Sequence, residues 1–284
     1  MTKTALIIST YNWPAALRLC LKSVRYQKQL PDEIIIADDG SDERTKFVIE
    51  AFRKNIIVPV KHVWHEDKGF RLAVIRNKAI AAAECEYIVQ ADGDMILHPY
   101  FIEDHVNFAE KNSFVRASRI YLDEKLSNKM LSQQNIAVNF LDKGVSNSTS
   151  AIRIPVAWPF FETTYKNKGH ERYVIHGSNM AFWKKDAILV NGYNELFHGW
   201  GPEDSEFVAR LLNTGLKKKF LKLGGIAYHI FHEKKSKNRL IFNEGLLKQA
   251  IKSNSTFCLL GINQYLNNDG IYFRPNLSEI SLKK

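Results

Sequence analysis

Two carboxylates separated by one glycine, Asp92-Gly93-Asp94, close off a short apolar run, Tyr87-Ile88-Val89. A buried strand that stops in paired acids points charge at the rim of a sheet, where α/β proteins bind ligands. Two carboxylates there suit a hard divalent cation carrying a phosphorylated substrate. Asp-Gly is also common turn chemistry, so the motif alone fits an idle surface turn equally well. A second acidic run, Asp38-Asp39-Gly40-Ser41-Asp42, follows the apolar stretch Glu33 to Ala37, and polar Thr10-Tyr11-Asn12 follows Thr4 to Ser9. Farther on, Glu203-Asp204 stands behind Gly199-Trp200-Gly201-Pro202. Proline and acids fit the first turn of a helix, which tolerates a missing donor and whose dipole favours negative charge. A late apolar run, Ile226 to Phe231, carries His229, and His232 follows it.

These groups need elements to position them. Leu17, Cys20, Leu21 and Val24 repeat at helical spacing behind Pro14, so a helix follows the first strand. Phe47, Val48, Ala51 and Phe52 mark a second helix, Ile56 to Val63 a third strand, and Leu72, Ile75, Ala79 and Ala82 a third helix leading to the strand at 87–90. Strand and helix in alternation predict an α/β chain with a doubly wound, mostly parallel sheet. Parallel strands share one carboxyl edge, so Thr10-Tyr11-Asn12, Asp38-Asp39 and Asp92-Gly93-Asp94 converge on one crevice, which weakens the idle-turn reading. Residues 123–150 are polar and poor in periodicity, which predicts a flexible insertion or lid. A helix is expected over Phe207 to Leu212 and an amphipathic one from Arg239 to Ile262, ending in a polar, basic tail.

Composition narrows the partners. The 284 residues carry a net charge of +10, compatible with nucleic acid, an anionic membrane surface or a phosphorylated ligand. No arginine-rich arm, zinc-finger spacing or RNA-binding aromatic signature occurs, so nucleic acid is the weakest of the three. GxGxxG after the first strand is absent, as is GxxxxGK[ST], which argues against a dinucleotide fold and a P-loop. Cys20, Cys85 and Cys258 are odd in number and far apart, without CxxC spacing; Cys20 and Cys85 read as buried thiols, and a reducing cytoplasm is expected. No apolar run approaches the roughly 20 residues a spanning helix needs, and no signal peptide is read at the N-terminus. A soluble or peripheral cytoplasmic protein is expected.

In their order along the chain, Thr10-Tyr11-Asn12, Ile34-Ile35-Ile36-Ala37-Asp38-Asp39-Gly40-Ser41, Arg76-Asn77 and Asp92-Gly93-Asp94 resemble a family 2 glycosyltransferase of the GT-A fold. Gly177-Ser178-Asn179-Met180 and Gly199-Trp200-Gly201-Pro202-Glu203-Asp204 resemble the C-terminal region of β-1,4-galactosyltransferases and bacterial chondroitin polymerases. The resemblance covers roughly residues 4–235 and implies one GT-A domain over 1–235, with 1–120 binding nucleotide sugar and 121–235 supplying acceptor and catalytic groups. Residues 236–284 are then a helical, basic extension. The implied activity is metal-dependent, inverting transfer from a UDP-sugar to a hydroxyl of a glycan or glycolipid, in bacterial surface polysaccharide or lipopolysaccharide synthesis. The sugar, whether galactose, N-acetylgalactosamine, N-acetylglucosamine or glucuronate, stays open.

The resemblance also implies roles. Thr10 and Tyr11, with Asn12 beside them, pack on the base, Asp39 accepts the uracil N–H, and Arg76 faces the nucleotide or diphosphate, with Lys68 and Arg71 as lesser phosphate candidates. Gly93 lies between the two acids of a DxD motif: Asp94 ligates Mn²⁺ or Mg²⁺, and Asp92 meets the ribose or the metal's waters. A late histidine completes the shell, His229 being favoured over His232. Asp204 is the base that takes the acceptor proton, Glu203 holds a sugar hydroxyl, and Trp200 offers a flat face to a sugar ring. Contact with an anionic membrane through the segment from Arg239 onward is a further expectation. Two other readings are a nucleotidyltransferase, which would want a glycine- and basic-rich loop where Thr10-Tyr11-Asn12-Trp13-Pro14 stands, and a non-catalytic carbohydrate-binding protein, which the intact Asp92, Asp94, Asp204 and His229 disfavour.

Overall fold

The computed structural model describes residues 2–233, 237–267 and 270–274. The chain opens as expected: β1 (Thr4–Thr10), α1 (Pro14–Arg25), β2 (Glu33–Asp38), α2 (Glu43–Arg53), β3 (Val60–Trp64), α3 (Leu72–Ala82) and β4 (Tyr87–Asp92). It continues through β5 (Met95–Leu97), α4 (Phe101–Asn107), β6 (Ser113–Ala117), β7 (Arg119–Leu122), α5 (Glu124–Gln133), β8 (Val145–Ser146), α6 (Trp158–Phe161), β9 (Asn179–Trp183) and α7 (Lys184–Leu189). The last elements are α8 (Glu203–Asn213), β10 (Lys217–Leu221), β11 (Ala227–His229), α9 (Leu240–Lys252) and β12 (Tyr272–Phe273).

Eight strands form the main sheet in the order β10-β6-β9-β4-β1-β2-β3-β12. β1 pairs in parallel with β2 and β4, and β9 runs antiparallel between β4 and β6. Every residue of β1 and β2 is buried, as befits strands covered on both faces. Ile7, Ile35 and Ile88 face a core shared with α3 and α8, whereas Leu6, Ile34 and Val89 face one shared with α1 and α2. A smaller sheet, β5-β11-β7-β8, closes over a third core that holds Leu19, Ile96 and Ile230. All three cysteines are buried and unpaired.

Several expectations need correction. The third strand starts at Val60, the late strand is only Ala227–His229, and the last long helix stops at Lys252, with a short 3₁₀ turn at Ile262–Tyr265. Residues 123–150 are not a structureless lid: Asp123 caps α5 by accepting the Leu126 N–H at 2.8 Å, and Leu126 and Met130 are buried one turn apart. Among the described residues no helix is long and apolar enough to cross a membrane. Of the expected basic extension over 236–284, residues 236, 268–269 and 275–284 lie outside the described residues.

Candidate active site

β4 carries Asp92 to the carboxyl edge of the sheet, beside Ser9 of β1. Gly93 donates its N–H to the Ser9 carbonyl at 2.7 Å. A Cβ there would lie 3.2 Å from both that carbonyl and Thr10 Oγ1, so a larger residue would press on β1 and the glycine lets the chain turn closely over it. Asp94 emerges on the far side and leads directly into β5. β11 pairs antiparallel with β5, placing His229 opposite Met95, and the Ile230 N–H bonds the Asp94 carbonyl at 2.9 Å. Three residues of strand pairing therefore bring a histidine to an aspartate that lies far from it in the chain.

His229 Nε2 lies 3.5 Å and His232 Nε2 3.4 Å from Asp94 Oδ2. One ligand atom from each of Asp94, His229 and His232 falls within 4.8 Å of the others. Asp94 Oδ1 is buried without a hydrogen-bond partner, a costly arrangement unless something binds it. Burial disfavours the Asp94 carboxylate, but the two imidazoles outweigh that and hold its pKa well below the usual range. A carboxylate oxygen with two imidazole nitrogens is a mixed donor set that divalent first-row transition ions accept, Mn²⁺ among them. The geometry gathers both histidines rather than selecting His229. Asp92, expected to share the ion or its waters, points elsewhere.

Asp92 instead meets Arg76, which lies inside the protein at 1% exposure and does not reach out as a phosphate contact would. Arg76 Nη2 donates to Asp92 Oδ1 at 3.0 Å and Nη1 to Asp204 Oδ1 at 2.7 Å, while Glu203 Oε1 lies 3.8 Å away. Its Nε donates to Ser9 Oγ at 3.3 Å, and its guanidinium lies over the Tyr193 ring at 5.3 Å. Burial works against its charge, but Asp204, Asp92 and Glu203 outweigh it and raise its pKa. Tyr193 is pinned in turn by Asn77, one residue along α3, through paired bonds of 2.8 and 2.7 Å.

Asp204 is saturated on this side, since its Oδ2 accepts the Gly177 N–H at 2.8 Å. A Cβ on Gly177 would lie 2.2 Å from Asp204 Oδ1, so only glycine admits the carboxylate. Gln90 of β4 fixes the same glycine by donating to its carbonyl at 2.8 Å. Glu203 differs: its Oε2 is buried without a partner, and burial together with the Asp204 charge pushes its pKa up to about 8.

The loops after β1 and β2 are stitched together. Asn12, at φ 45°, donates its N–H to Ser41 Oγ at 2.9 Å and accepts the Asp42 N–H through Oδ1 at 2.9 Å. Asp39 is buried, with Oδ1 2.7 Å from His65 Nε2 and Oδ2 accepting the Arg71 N–H at 2.9 Å. Tyr11 donates its hydroxyl to Asp67 at 2.9 Å and keeps an exposed ring. Thr10 and Asp38 sit side by side in the β1–β2 register. Lys68 is exposed and pairs with Glu66 at 3.3 Å.

Trp200 is 43% exposed, and Lys237 Nζ lies over its ring at 5.3 Å. Its loop hangs on α9. Buried Asn243 donates to the carbonyls of His198 and Trp200 at 3.1 and 3.0 Å, and a Cβ on Gly201 would strike it at 2.6 Å. Asn243, Gly177 and Tyr193 were not picked out as site residues by sequence reasoning, because their partners lie far off in the chain.

Comparison with known proteins gives the family and the fold. The Glycosyl transferase family 2 profile matches residues 5–188, and the profile described as the N-terminal domain of galactosyltransferase matches 161–233. Chondroitin synthase of Escherichia coli is 28% identical over 240 residues, which are 79% of this chain and 34% of that protein. Hyaluronan synthase of Pasteurella multocida is 27% identical over 238 residues, 79% of this chain and 24% of that protein. The chain thus spans about a third or less of these relatives. Among solved structures, S. aureus TarS 1-349 in complex with UDP-GlcNAc superposes with a TM-score of 0.65 at 17% identity, covering 93% of this chain and 70% of that one. A mannosyltransferase from Pyrobaculum calidifontis in complex with GDP-Man and Mn²⁺ gives 0.57 at 15% identity, covering 82% and 58%. The shared fold is the GT-A fold expected from the sequence.

Proposed function

Since the chain belongs to glycosyl transferase family 2, we propose that it moves a sugar from a UDP-sugar to a hydroxyl of a glycan acceptor, with inversion and with help from a divalent cation. The observation that carries this reading is a connected line of side chains: Asp94, His229 and His232 at one end, Glu203 and Asp204 at the other, with Arg76 bonding both Asp92 and Asp204 between them. Galactose, N-acetylgalactosamine, N-acetylglucosamine and glucuronate are the candidate sugars. The related synthases favour a bacterial polysaccharide as the product.

Asp94, His229 and His232 would hold Mn²⁺ or Mg²⁺. Bound there, the ion supplies Lewis-acid neutralisation of charge on the departing diphosphate. The loops of Thr10, Tyr11 and Asn12 and of Asp39 frame the nucleotide base, with His65 and the Arg71 amide orienting the Asp39 carboxylate. Asp204 accepts the acceptor's proton as the hydroxyl oxygen attacks the anomeric carbon. Arg76 and the Gly177 amide fix its orientation, and its oxygens keep lone pairs for that third contact. Glu203, neutral below about pH 8, donates from Oε2 to a sugar hydroxyl. Trp200 packs on a sugar ring.

A screen of UDP-sugars with Mn²⁺ and glycan acceptors, reading UDP release, tests the reading. Turnover with one sugar, lost on chelation, is expected; neither turnover nor saturable UDP binding would sink it. Peripheral membrane contact is a separate part of the proposal, resting on exposed Ile241 and Phe242 beside basic Lys248 and Lys252 of α9. Flotation with anionic liposomes should carry the protein upward, and its absence from the floated fraction would remove that part.

A further inference from the structure

The mechanism above leaves one group unused. Arg119, at the start of β7, sits beside the cation cluster: its guanidinium lies over the Tyr121 ring at 4.8 Å, and that ring meets His229 edge-on at 5.6 Å. Arg119 donates only to neutral oxygens, Ser178 Oγ at 3.3 Å and Tyr121 Oη at 2.7 Å, and its Nε is buried without a partner. Among the described residues no carboxylate lies within ion-pair distance of it.

Arg119 heads a series. Arg116, in β6 and three residues before Arg119, is also buried with an unpartnered Nε and spends Nη1 on the Val174 carbonyl at 2.8 Å. Lys218 is 2% exposed and bonds only carbonyls, those of Glu171, Arg172 and Val174. Lys166 and Arg116 share one exposed carboxylate, Glu171, at 3.9 and 4.0 Å. Arg172, Lys217 and Lys218 line a hollow of about 410 Å³ at the far end. Burial pushes Lys218 down to about 7, and Arg116, Lys166 and Arg172 push the same way. At the near end, His176 is pushed down to about 4 by burial, Arg119 and Arg116, while the Asp204 charge opposes them. His176 also precedes the glycine that bonds Asp204, so the cations border the acceptor side of the cleft. Bonds to carbonyls account for how Arg116 and Lys218 hold the 171–174 segment. They do not account for like charges gathered with one carboxylate, Glu171, within ion-pair reach, while Asp92 acts on Arg119 only from beyond that reach; such charges repel until an anion arrives.

We propose that the acceptor half of the cleft is a subsite for an acidic glycan, with the Arg119 guanidinium meeting its carboxylate or phosphate. The inference rests on the transferase reading above and adds the chemical class of the acceptor. An arginine suits this task because its planar fork matches either oxyanion in two parallel hydrogen bonds.

Calorimetric titration of the full chain with UDP and Mn²⁺ present tests it. Three oligosaccharide probes of matched length are needed: one with a glucuronate residue, one with glucose in its place, and one bearing glycerol phosphate. The wild type should bind at least one acidic probe roughly tenfold or more tighter than the neutral one, with affinity falling as salt rises; the better of the two acids identifies the source of the charge. Arg119→Gln should cut that preference by roughly 10- to 100-fold, the usual span for a charged hydrogen bond. Lys166→Glu, on the exposed rim where folding is not at stake, should cut it several-fold. Equal binding of acidic and neutral probes, or binding of none, overturns the proposal. So does an Arg119→Gln variant that weakens UDP and leaves the preference intact, since the anion is then the donor's diphosphate. UDP titration alone separates the two readings: a wild type that fails to bind UDP sinks the transferase, whereas normal UDP binding without acid preference sinks only this subsite.

Discussion

The two ends of the cleft are assembled in opposite ways. The Asp94 end is set by strand register, through β11 pairing with β5, and leaves valence open in the unpartnered Asp94 Oδ1. The Asp204 end is set by a buried arginine and a glycine amide, and Asp204 arrives with both oxygens engaged. An end with open valence is built to receive a ligand that brings its own charge. An end held by internal partners is built to keep one group's orientation fixed before substrate arrives. Arg76 touches Asp92 on one side and Asp204 on the other, so it couples two regions that share no strand.

Breaking each end separately gives the sharpest contrast and the largest effects. Asp94→Asn should abolish Mn²⁺-dependent UDP binding, measured by calorimetry with and without the ion. Asp204→Asn should leave that binding near wild type and lower transfer by about 10²–10⁴-fold, the range for a lost general base. If Asp204→Asn retains transfer, Asp204 is not the base; if it loses UDP binding as well, the two ends are not separable. Next in size is the coupler. Arg76→Met removes the cation that pairs with Asp92 and Asp204 beside neutral Glu203, and breaking a buried pair costs about 3–5 kcal/mol. Chemical denaturation should show a loss of that order at neutral pH, with the deficit shrinking as acid protonates the orphaned carboxylates. A variant as stable as wild type would mean that water already screens the cluster.

Much of this site was legible because buried strands declare themselves. TALIIS and EIIIA are unbroken apolar runs, so the polar residues that end them had to lie at one carboxyl edge. The Asp94, His229 and His232 cluster was legible in its residue types, not in its assembly: β5 and β11 are three residues each, too short for periodicity to reveal their pairing. The resemblance assigns Arg76 to the nucleotide or diphosphate, and nothing local in the sequence reports that its side chain is buried. Its acidic partner Asp204 is 128 residues away, and no local pattern reports such a pair. α5 was missed for a different reason. Its cap, Asp123, and its buried Leu126 and Met130 were present, but the polar residues around them swamped a stripe only two residues wide.

A smaller effect probes the protonation difference between the neighbours at the Asp204 end. Glu203 holds its proton up to about pH 8 because burial and Asp204 disfavour a second charge. Below that pH it is neutral and is proposed to donate a hydrogen bond to a sugar hydroxyl; as pH rises through about 8 it ionises, loses that donor and repels Asp204. Transfer should therefore fall on the alkaline side with a midpoint near 8 in a profile of kcat/KM against pH. Glu203→Gln stays neutral at every pH and should flatten that limb while keeping much of the rate. Survival of the limb in the glutamine variant would assign it to another group.

The smallest effect lies farthest from the chemistry and tests whether the fixed end extends into α9. Asn243 holds the loop before Glu203 by two bonds, to the carbonyls of His198 and Trp200, and its own side chain is wholly buried. Asn243→Ala leaves two carbonyls without donors, which costs about 1–3 kcal/mol in stability if water cannot reach them. A change confined to stability would make α9 a prop and nothing more. If the bonds also aim Trp200 at a sugar ring, the KM for the glycan should rise severalfold while UDP affinity stays constant, because this loop hangs on α9 whereas the Asp94 end is held by β5 and β11. Steady-state kinetics with the acceptor varied at saturating donor, well below the melting temperature, separates the two outcomes. An unchanged acceptor KM would confine the orienting machinery to Arg76 and Gly177, and would leave Trp200 positioned by its own glycines.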